Sequence, residues 1–367
     1  MNSTEACIAL NMLPTIGPVR LRKLLHVFET PERILSANGS ALRAVDGGIG
    51  NEVAEQIAGW ETAVDLSAEL KRITDFGAEV ITVESELYPK QLREIHAPPI
   101  VLYVWGKLTS RDQHAIGVVG SRRTTHYGAE CAKKLSYQLA YAGMTVISGL
   151  ARGIDTAAHQ GAIAAKGRTV AVIGSGLLNL YPPENAALAE KIADGNGAVV
   201  SEFSMEVQPD RQTFPMRNRI ISGWSQGILV VEAGLNSGAL ITASQALEQG
   251  RSVYAVPGHI NAPSAHGSNR LIQQGAKLVM EANDILDDLN ILLPDAKPMP
   301  EAAARQMPIL TDDERRVYDA IDASETSIDD ITTKCDLPSG SVSSTLLRLE
   351  LKRLVKQLPG KYFVKLG

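Results

Sequence analysis

Four apolar segments of this 367-residue chain each end at a glycine, with hydroxyl or arginine side chains close by. The segments occupy residues 116–120, 145–149, 169–174 and 228–234. From residue 116 onward, strands of this kind alternate with helical stretches of about 10–15 residues. That alternation predicts an α/β fold built on a parallel, doubly wound sheet.

The carboxyl ends of parallel strands lie along one edge of a sheet, and ligands of open α/β sheets bind in the crevice outside that edge. The glycines and arginines that follow the four strands are therefore expected to line a shared groove. Free N–H groups at the starts of the following helices favour an anion there. Arginine is suited to binding phosphate, so the sequence predicts a polyanionic ligand. Five arginines lie in or near the loops in question: Arg122, Arg123, Arg152, Arg217 and Arg219.

The distribution of charge along the chain agrees with such a ligand. The net charge is −5, yet residues 115–280 hold 14 lysines and arginines against 10 aspartates and glutamates. A local excess of positive charge within an otherwise acidic chain suits an anion-binding groove.

Features that would indicate a membrane, a metal or a disulfide framework are missing from the sequence. No apolar stretch reaches the roughly 18 residues of a membrane-spanning helix, and the amino terminus lacks a signal-peptide pattern. We therefore expect a soluble, cytoplasmic protein without a membrane partner. The three cysteines, Cys7, Cys131 and Cys335, are isolated in sequence, so neither a zinc site nor a disulfide framework is expected.

The hydrophobic pattern divides the chain into four parts. Helical spacing predicts a small all-helical domain over residues 1–78, and alternating strands and helices predict the sheet core over residues 79–290. Residues 291–309 contain prolines and alanines without a clear period, which is typical of a linker. Three helices and a hairpin within residues 310–367 follow the winged-helix pattern.

The carboxyl-terminal domain has no basic face of the kind that reads DNA. Residues 311–367 carry 9 lysines and arginines against 10 acidic residues. A DNA-reading winged helix usually shows a basic excess, so we favour a protein-contact or accessory role. At its start, Thr311 is followed three residues later by Glu314, which predicts a capping box.

One segment combines an aromatic side chain with two cations. Phe214 can stack on a base while Arg217 and Arg219 hold the phosphate backbone, the usual combination for single-stranded nucleic acid. The alternative for this segment is a buried phenylalanine beside surface arginines.

The sequence gives little support for catalysis. No paired carboxylates or metal-ligand clusters converge by spacing, and the Gly174-Ser-Gly176 loop lacks the third glycine of the dinucleotide-binding fingerprint. Asp155 is expected to cap a helix, and His159 to be a packed or surface histidine. We therefore expect no enzyme activity, no catalytic residues, no cofactor and no metal.

Several segments, taken in order, closely resemble the DprA/Smf family (DNA processing protein A). They are Gly120-Ser-Arg122, Ser148-Gly-Leu-Ala-Arg-Gly-Ile-Asp155, Gly174-Ser-Gly176 with Tyr181-Pro182, Ser201-Glu-Phe203, Phe214-Pro-Met-Arg-Asn-Arg-Ile-Ile221, Ser237-Gly-Ala-Leu-Ile-Thr-Ala243 and Ala255-Val-Pro-Gly258. The resemblance covers roughly residues 85–280. The amino-terminal residues 13–17 also resemble that family's helix-hairpin-helix-like (SAM-like) domain, and the carboxyl end resembles its winged helix.

The resemblance implies an extended Rossmann-like core that binds single-stranded DNA, forms a homodimer through that core, and acts without catalysis. It also implies that the protein protects incoming strands and loads the RecA recombinase during natural transformation. The expected DNA-binding positions are Ser121, Arg122, Arg123, Gly149, Arg152, Phe214, Arg217, Asn218, Arg219 and Ser237. Some relatives have a basic residue where this chain has Ser244, so one phosphate contact is either absent or supplied by Arg270 or Lys277.

Two other classes of protein remain as alternatives. One is a nucleotide-processing enzyme that resembles the phosphoribohydrolases called LOG proteins. Those enzymes carry a Pro-Gly-Gly-x-Gly-Thr loop, and this chain has Glu232-Ala-Gly-Leu-Asn-Ser-Gly238 instead. The other is a ligand-sensing transcription regulator, an interpretation that rests on the winged helix alone.

Overall fold

A computed structural model describes residues 1–45, 49–289, 310–322, 325–352 and 354–365. The chain divides into two compact units, Met1–Met299 and Pro300–Gly367. The linker predicted over residues 291–309 lies outside the described residues.

The first unit begins with seven helices. They are α1 (Ser3–Met12), α2 (Pro18–Phe28), α3 (Pro31–Ser36), α4 (Gly39–Arg43), α5 (Asn51–Ala58), α6 (Trp60–Ala63) and α7 (Leu66–Phe76). Nine strands follow, at β1 (Glu79–Thr82), β2 (Val101–Gly106), β3 (Ala115–Val119), β4 (Thr145–Ser148), β5 (Thr169–Val172), β6 (Gly197–Ser201), β7 (Gly227–Val230), β8 (Ser252–Ala255) and β9 (Lys277–Leu278). The helices among and after them are α8 (Lys90–Arg93), α9 (His126–Tyr141), α10 (Ile154–Ala164), α11 (Ala186–Lys191), α12 (Thr213–Trp224), α13 (Gly238–Glu248), α14 (His266–Gln273) and α15 (Asn283–Leu289).

The nine strands form one sheet in the order β1-β2-β6-β5-β4-β3-β7-β8-β9. Strand β2 pairs antiparallel with β1 and with β6, and every other neighbouring pair is parallel. The predicted parallel-sheet core is therefore confirmed. From β3 the chain proceeds outward through β4, β5 and β6, then returns to place β7 on the other side of β3. The topological switch point of the sheet thus lies between β3 and β7.

Helices cover both faces of the sheet, as its almost wholly apolar strands require. On one face, Trp224 of α12 and Ala243 of α13 are fully buried in a cluster with Val230 of β7. On the other face, Leu139 of α9 and Ala158 of α10 are buried in a second cluster. Since α12 and α13 follow strands on the two sides of the switch point, both helices begin at the edge where the crevice is expected.

The amino-terminal helices pack against this sheet. A third cluster joins Leu10 of α1 and Ile73 of α7 to Tyr103 of β2 and Leu177. Buried Glu69 of α7 also accepts a hydrogen bond from the Met205 backbone N–H at 2.8 Å. These helices and the sheet share one core, so the division at residue 78 remains a proposal.

The second unit contains the predicted winged-helix elements. They are α16 (Asp312–Ala320), β10 (Thr326–Ser327), α17 (Ile328–Cys335), α18 (Ser339–Leu351), β11 (Val355–Leu358) and β12 (Tyr362–Lys365). Strand β12 lies between β10 and β11, so the hairpin gains a short third strand. Thr311 Oγ1 accepts from the Glu314 N–H at 3.3 Å while Glu314 Oε2 accepts from the Thr311 N–H at 2.9 Å, which confirms the capping box.

Candidate nucleic-acid interface

A groove of about 810 Å³ lies at the carboxyl edge of the sheet, at the switch point. The loops that follow β3 and β7 line it, together with the first turns of α12 and α13. Seven of the residues predicted to bind DNA lie together on its surface: Ser121, Arg122, Arg123, Phe214, Arg217, Asn218 and Ser237. The structure thus brings segments up to 116 residues apart in sequence together at one groove.

The loop after β3 presents two arginines to the groove. The Ser121 N–H donates to the Glu232 carbonyl at 2.7 Å, and Ser121 Oγ accepts from the Arg123 N–H at 3.1 Å. These bonds fix the turn, while the side chains of Arg122 and Arg123 are exposed. Neither guanidinium forms an ion pair with a carboxylate in the described part of the chain. Both cations are therefore available to an anionic ligand.

Two aromatic rings lie between two guanidinium groups in a row that begins at Arg122 and Phe214 in the groove and continues beyond its lining residues. Arg122 Cζ lies 4.9 Å from the centre of the Phe214 ring, and the Tyr181 ring lies 5.9 Å from the same ring at 46°. Arg152 Cζ lies 5.9 Å from the Tyr181 ring centre. Ring faces on which a base can stack therefore lie next to the unpaired guanidinium of Arg122, which can bind a phosphate. Tyr181 was not among the predicted contacts, and its position directly before Pro182 gave no signal of its proximity to Phe214.

Arg217 forms the floor of the groove and is not an exposed phosphate clamp. Its side chain is almost completely buried. Nη1 donates to the Gly149 carbonyl at 2.7 Å and also to the Val172 carbonyl, while Nε donates to Asn218 Oδ1 at 3.2 Å. Burial lowers the pKa of Arg217 to about 10, which the negative charge of Asp155 partly opposes. The guanidinium is still charged at neutral pH and supplies a fixed positive charge at the floor of the groove.

Asp155 balances that buried charge. Its Oδ2 accepts from the N–H groups of Gly149 and Ala151, at 3.0 and 3.3 Å. Burial raises the pKa of this carboxyl, and the charge of Arg217 opposes the shift. The prediction that Asp155 caps helix α10 is wrong. The cap position is Gly153, whose φ of 77° favours glycine, and Asp155 lies in the first turn with its side chain directed back to the preceding loop.

Gly149 does not line the groove itself, but its carbonyl accepts a hydrogen bond from Arg217, which does. A Cβ atom there would lie 2.3 Å from Arg217 Nη1, so any side chain would displace the guanidinium. The predicted role of Gly149, close backbone approach, therefore serves Arg217 in this structure.

Besides Gly149, four more of the predicted DNA-binding residues do not line the groove. Arg219 forms a bidentate pair with Glu202, with N–O distances of 2.9 and 2.6 Å. Arg152 is paired with Glu184, and Lys277 with Asp288 at 3.1 Å. The fourth, Arg270, lies on α14. The expectation that Arg270 or Lys277 replaces a missing phosphate contact gains no support from these positions.

Arg211 lines the groove and was missed by the sequence analysis. Its side chain is exposed and forms no ion pair with any carboxylate among the described residues. The loop that carries it is held by Thr213, whose Oγ1 donates to the Gly174 carbonyl at 2.5 Å. The available signal was its position three residues before Phe214.

The titratable groups closest to the groove have structural partners. Glu232 is buried and accepts from the Thr125 N–H at 2.9 Å and from Thr124 Oγ1 at 2.6 Å, at the start of α9. His159 is fully buried with Nδ1 2.7 Å from Thr169 Oγ1, and burial lowers its pKa to about 3, as expected for a packed histidine.

Within the described residues, no cluster of three potential metal ligands occurs, and no helix has the length and apolar character to cross a membrane.

Together these features define an α/β protein with a basic groove at a topological switch point and an attached winged helix. Residues 79–290 match the family model for DNA recombination-mediator protein A, and residues 300–361 match that for the DprA winged helix domain. The chain belongs to the DprA/Smf family.

Individual relatives agree with this assignment. Protein Smf of Synechocystis sp. is 34% identical over 392 residues, covering 98% of each chain. The DNA processing protein DprA of Bacillus subtilis is 45% identical over 214 residues, covering 58% of this chain and 72% of its own.

Two solved structures share the fold. DprA from Streptococcus pneumoniae superposes with a TM-score of 0.69 at 33% identity, covering 78% of this chain and 99% of that one. DprA from Helicobacter pylori, described with a unique single-stranded DNA binding mode, gives a TM-score of 0.52 at 27% identity. It covers 60% of this chain and 99% of its own.

Proposed function

We propose that this chain binds single-stranded DNA in the groove at the switch point and acts as a recombination mediator without catalysis. The observation that carries the proposal is Arg122 stacked on Phe214, beside the exposed cations Arg123 and Arg211. An aromatic face can stack on a base only where that base is unpaired, and the cations can hold the adjoining phosphates. Family membership and the single-stranded DNA binding of the Helicobacter pylori relative support the same function.

Binding to an oligo-dT and to its duplex counterpart across a salt series tests this proposal. We expect preferential binding of the single strand, with log affinity falling linearly against log salt by about 0.7 per phosphate contact. Replacing Arg122 with alanine should weaken binding and reduce the slope by about 0.7, because one contact is removed. Thermal stability should change little, since the side chain is exposed.

Arg270→Ala is the matched control, because Arg270 is an exposed arginine of the same unit that does not line the groove. It should retain the wild-type affinity and salt slope. If both variants lost the same affinity for oligo-dT, binding would depend on the overall charge of the protein. That result would contradict the groove as the binding site.

The full proposed role is that the protein protects incoming strands in the cytoplasm and loads RecA onto them during natural transformation. A mediator of this kind must hold unpaired DNA without cleaving it, which suits a groove made of arginine, serine and aromatic side chains. RecA filament formation on strands coated with single-strand-binding protein measures the loading step. Wild type should accelerate it, and Arg122→Ala should do so only at higher protein concentration.

We further propose that two copies pair through the core. The edge strand β9 pairs with β8 alone among the described strands, and Leu278 on it is 41% exposed. Met280 follows at 73% exposure, and Ile260 in the loop after β8 is 79% exposed. Exposed apolar groups beside an unpaired strand edge are typical of an interface.

Sedimentation analysis of the full chain tests the pairing. Wild type should be a dimer at micromolar concentration, and Met280→Glu should shift it towards monomer, because a carboxylate would be buried in the interface. Val27→Glu is the control, since Val27 is 53% exposed on α2, among the amino-terminal helices that pack near β2 at the other end of the sheet. A wild-type monomer, or equal dissociation of both variants, would contradict this interface.

For the winged helix we propose a protein-contact role. Helix α18 exposes Leu347 and Leu351 one turn apart, at 59% and 78%, among exposed serines. Arg348 is the one cation within the helix, and Lys352 directly after it is paired with Glu314 at 2.7 Å. An exposed apolar stripe on a helix that carries a single cation suits a protein better than a DNA backbone.

A further inference from the structure

The two sides of the groove differ in chemical character. The guanidinium groups of Arg122, Arg123 and Arg211 come from the loop after β3 and from the segment before α12. The side formed by the loop after β7 and the first turns of α13 has no charged residue among its lining groups. We call this side the neutral wall, and its principal side chains are Leu235, Asn236, Ser237, Ile241 and Thr242.

The neutral wall exposes two large apolar side chains. Leu235 is 52% exposed and Ile241 is 47% exposed, although other positions of α13, such as Ala243 and Ala246, are fully buried. Neither side chain is needed to fill the core, and both border a groove whose opposite side is cationic. Apolar groups at that place gain free energy only if a ligand covers them.

The position of the wall relative to the arginines is fixed by the fold. Strands β3 and β7 are neighbours, with Val119 opposite Val230 in the parallel register. Immediately beyond them, the Ser121 N–H donates to the Glu232 carbonyl, and the Glu232 carboxylate accepts from the Thr125 N–H. The two loops therefore leave the sheet next to each other, and they form the two sides of the groove at the switch point.

We propose that the neutral wall binds the bases of the strand while the arginine side holds its phosphates. The inference rests on the proposed function and specifies how unpaired DNA would be selected. In a single strand, base faces and edges are free to contact Leu235 and Ile241. In a duplex, those surfaces are stacked and paired, and phosphates would face the neutral wall without a counter-charge. A DNA strand is the occupant that fits by charge, because four guanidinium groups line the other side and the floor of the groove.

An abasic oligonucleotide separates base contacts from phosphate contacts. We would compare oligo-dT with an abasic strand of equal length and charge, for wild type and for the double variant Leu235→Ser/Ile241→Ser. Wild type should bind oligo-dT more tightly than the abasic strand. In the double variant the ratio of the two affinities should fall by about fivefold or more, because apolar contacts to the bases are lost. Its salt slope should equal that of wild type, because no phosphate contact changes.

Leu247→Ser is the matched control, since it removes an exposed leucine from the same helix outside the groove. It should keep the wild-type preference for oligo-dT over the abasic strand. The single variant Leu235→Ser, in a loop rather than a helix, guards against misfolding of the double variant and should narrow the preference by a smaller factor.

The possible outcomes separate this inference from the proposed function. An unchanged preference in folded Leu235→Ser and in the double variant would overturn the neutral wall as a base-binding surface. Salt-dependent binding of oligo-dT would leave the proposed function standing in that case. If wild type binds neither strand, the proposed function fails, and the inference fails with it.

Discussion

Replacing Arg217 with alanine should lower the free energy of unfolding by about 3–5 kcal/mol, as expected when a buried charge loses its compensation. The side chain is 4% exposed, and its guanidinium donates to carbonyls that follow β4 and end β5. It also opposes the desolvation of the fully buried Asp155 carboxylate. The variant would lose both the hydrogen bonds and the favourable field. Urea denaturation followed by circular dichroism measures the loss.

The loss should depend on pH in a defined direction. Burial raises the folded-state pKa of Asp155, so ionising this carboxyl costs stability as pH rises above its unfolded value of about 3.9. Arg217 opposes that shift, and without it the folded-state pKa should lie higher still. The destabilisation by Arg217→Ala should therefore be smaller near pH 4 than near pH 7, because the protonated fraction of Asp155 increases as the pH falls.

The Asp155→Asn variant is the matched background in which the effect of Arg217→Ala should be measured again. In that background no carboxylate is left uncompensated, so Arg217→Ala should cost less than in wild type and lose most of its pH dependence. An equal loss at both pH values would instead assign the whole effect to the hydrogen bonds with Gly149 and Val172. Because Arg217 forms the groove floor, oligo-dT affinity should fall as well.

Phe214→Ala should weaken binding of oligo-dT by about 1–3 kcal/mol, the usual contribution of a base stacked on an aromatic ring. The ring is half-buried, and Arg122 and Tyr181 lie against it. Its removal would also free the Arg122 guanidinium from its fixed position. Fluorescence anisotropy with labelled oligo-dT measures the change.

A structural role of Phe214 can be separated from a binding role. A Cβ atom on Gly174 would lie 2.9 Å from the Phe214 ring, so the ring packs directly on the β5 loop. Phe214→Leu keeps most of this packing but removes the aromatic face, so it should keep thermal stability and still lose affinity. Reduced thermal stability of Phe214→Ala with unchanged affinity would identify a core residue and refute stacking.

Local sequence patterns predicted those features that depend on neighbouring residues. The order of strands and helices follows from hydrophobic periodicity, and the groove follows from the rule that parallel strands end at one edge. Thr311 and Glu314 form the predicted capping box because the interaction spans only three residues.

The roles of individual arginines depended on partners distant in sequence. Arg122 and Arg217 both lie near a strand end or helix start, yet one is exposed and the other is buried against Gly149, 68 residues away. Arg219 forms an ion pair with Glu202 because α12 lies close to the end of β6 in the folded protein. No local pattern encodes such pairings, because they arise when strands distant in the chain become neighbours.

The sequence by itself determined the class of fold, the edge of the sheet that carries the groove and the cationic character of the loops beside it. Only the tertiary structure decided which cations are free, that Tyr181 contacts Phe214, and that Leu235 and Ile241 line the same groove as the arginines. The physical reason is that periodicity and capping act over a few residues. The environment of a side chain is set by whichever segments the folded sheet brings next to it.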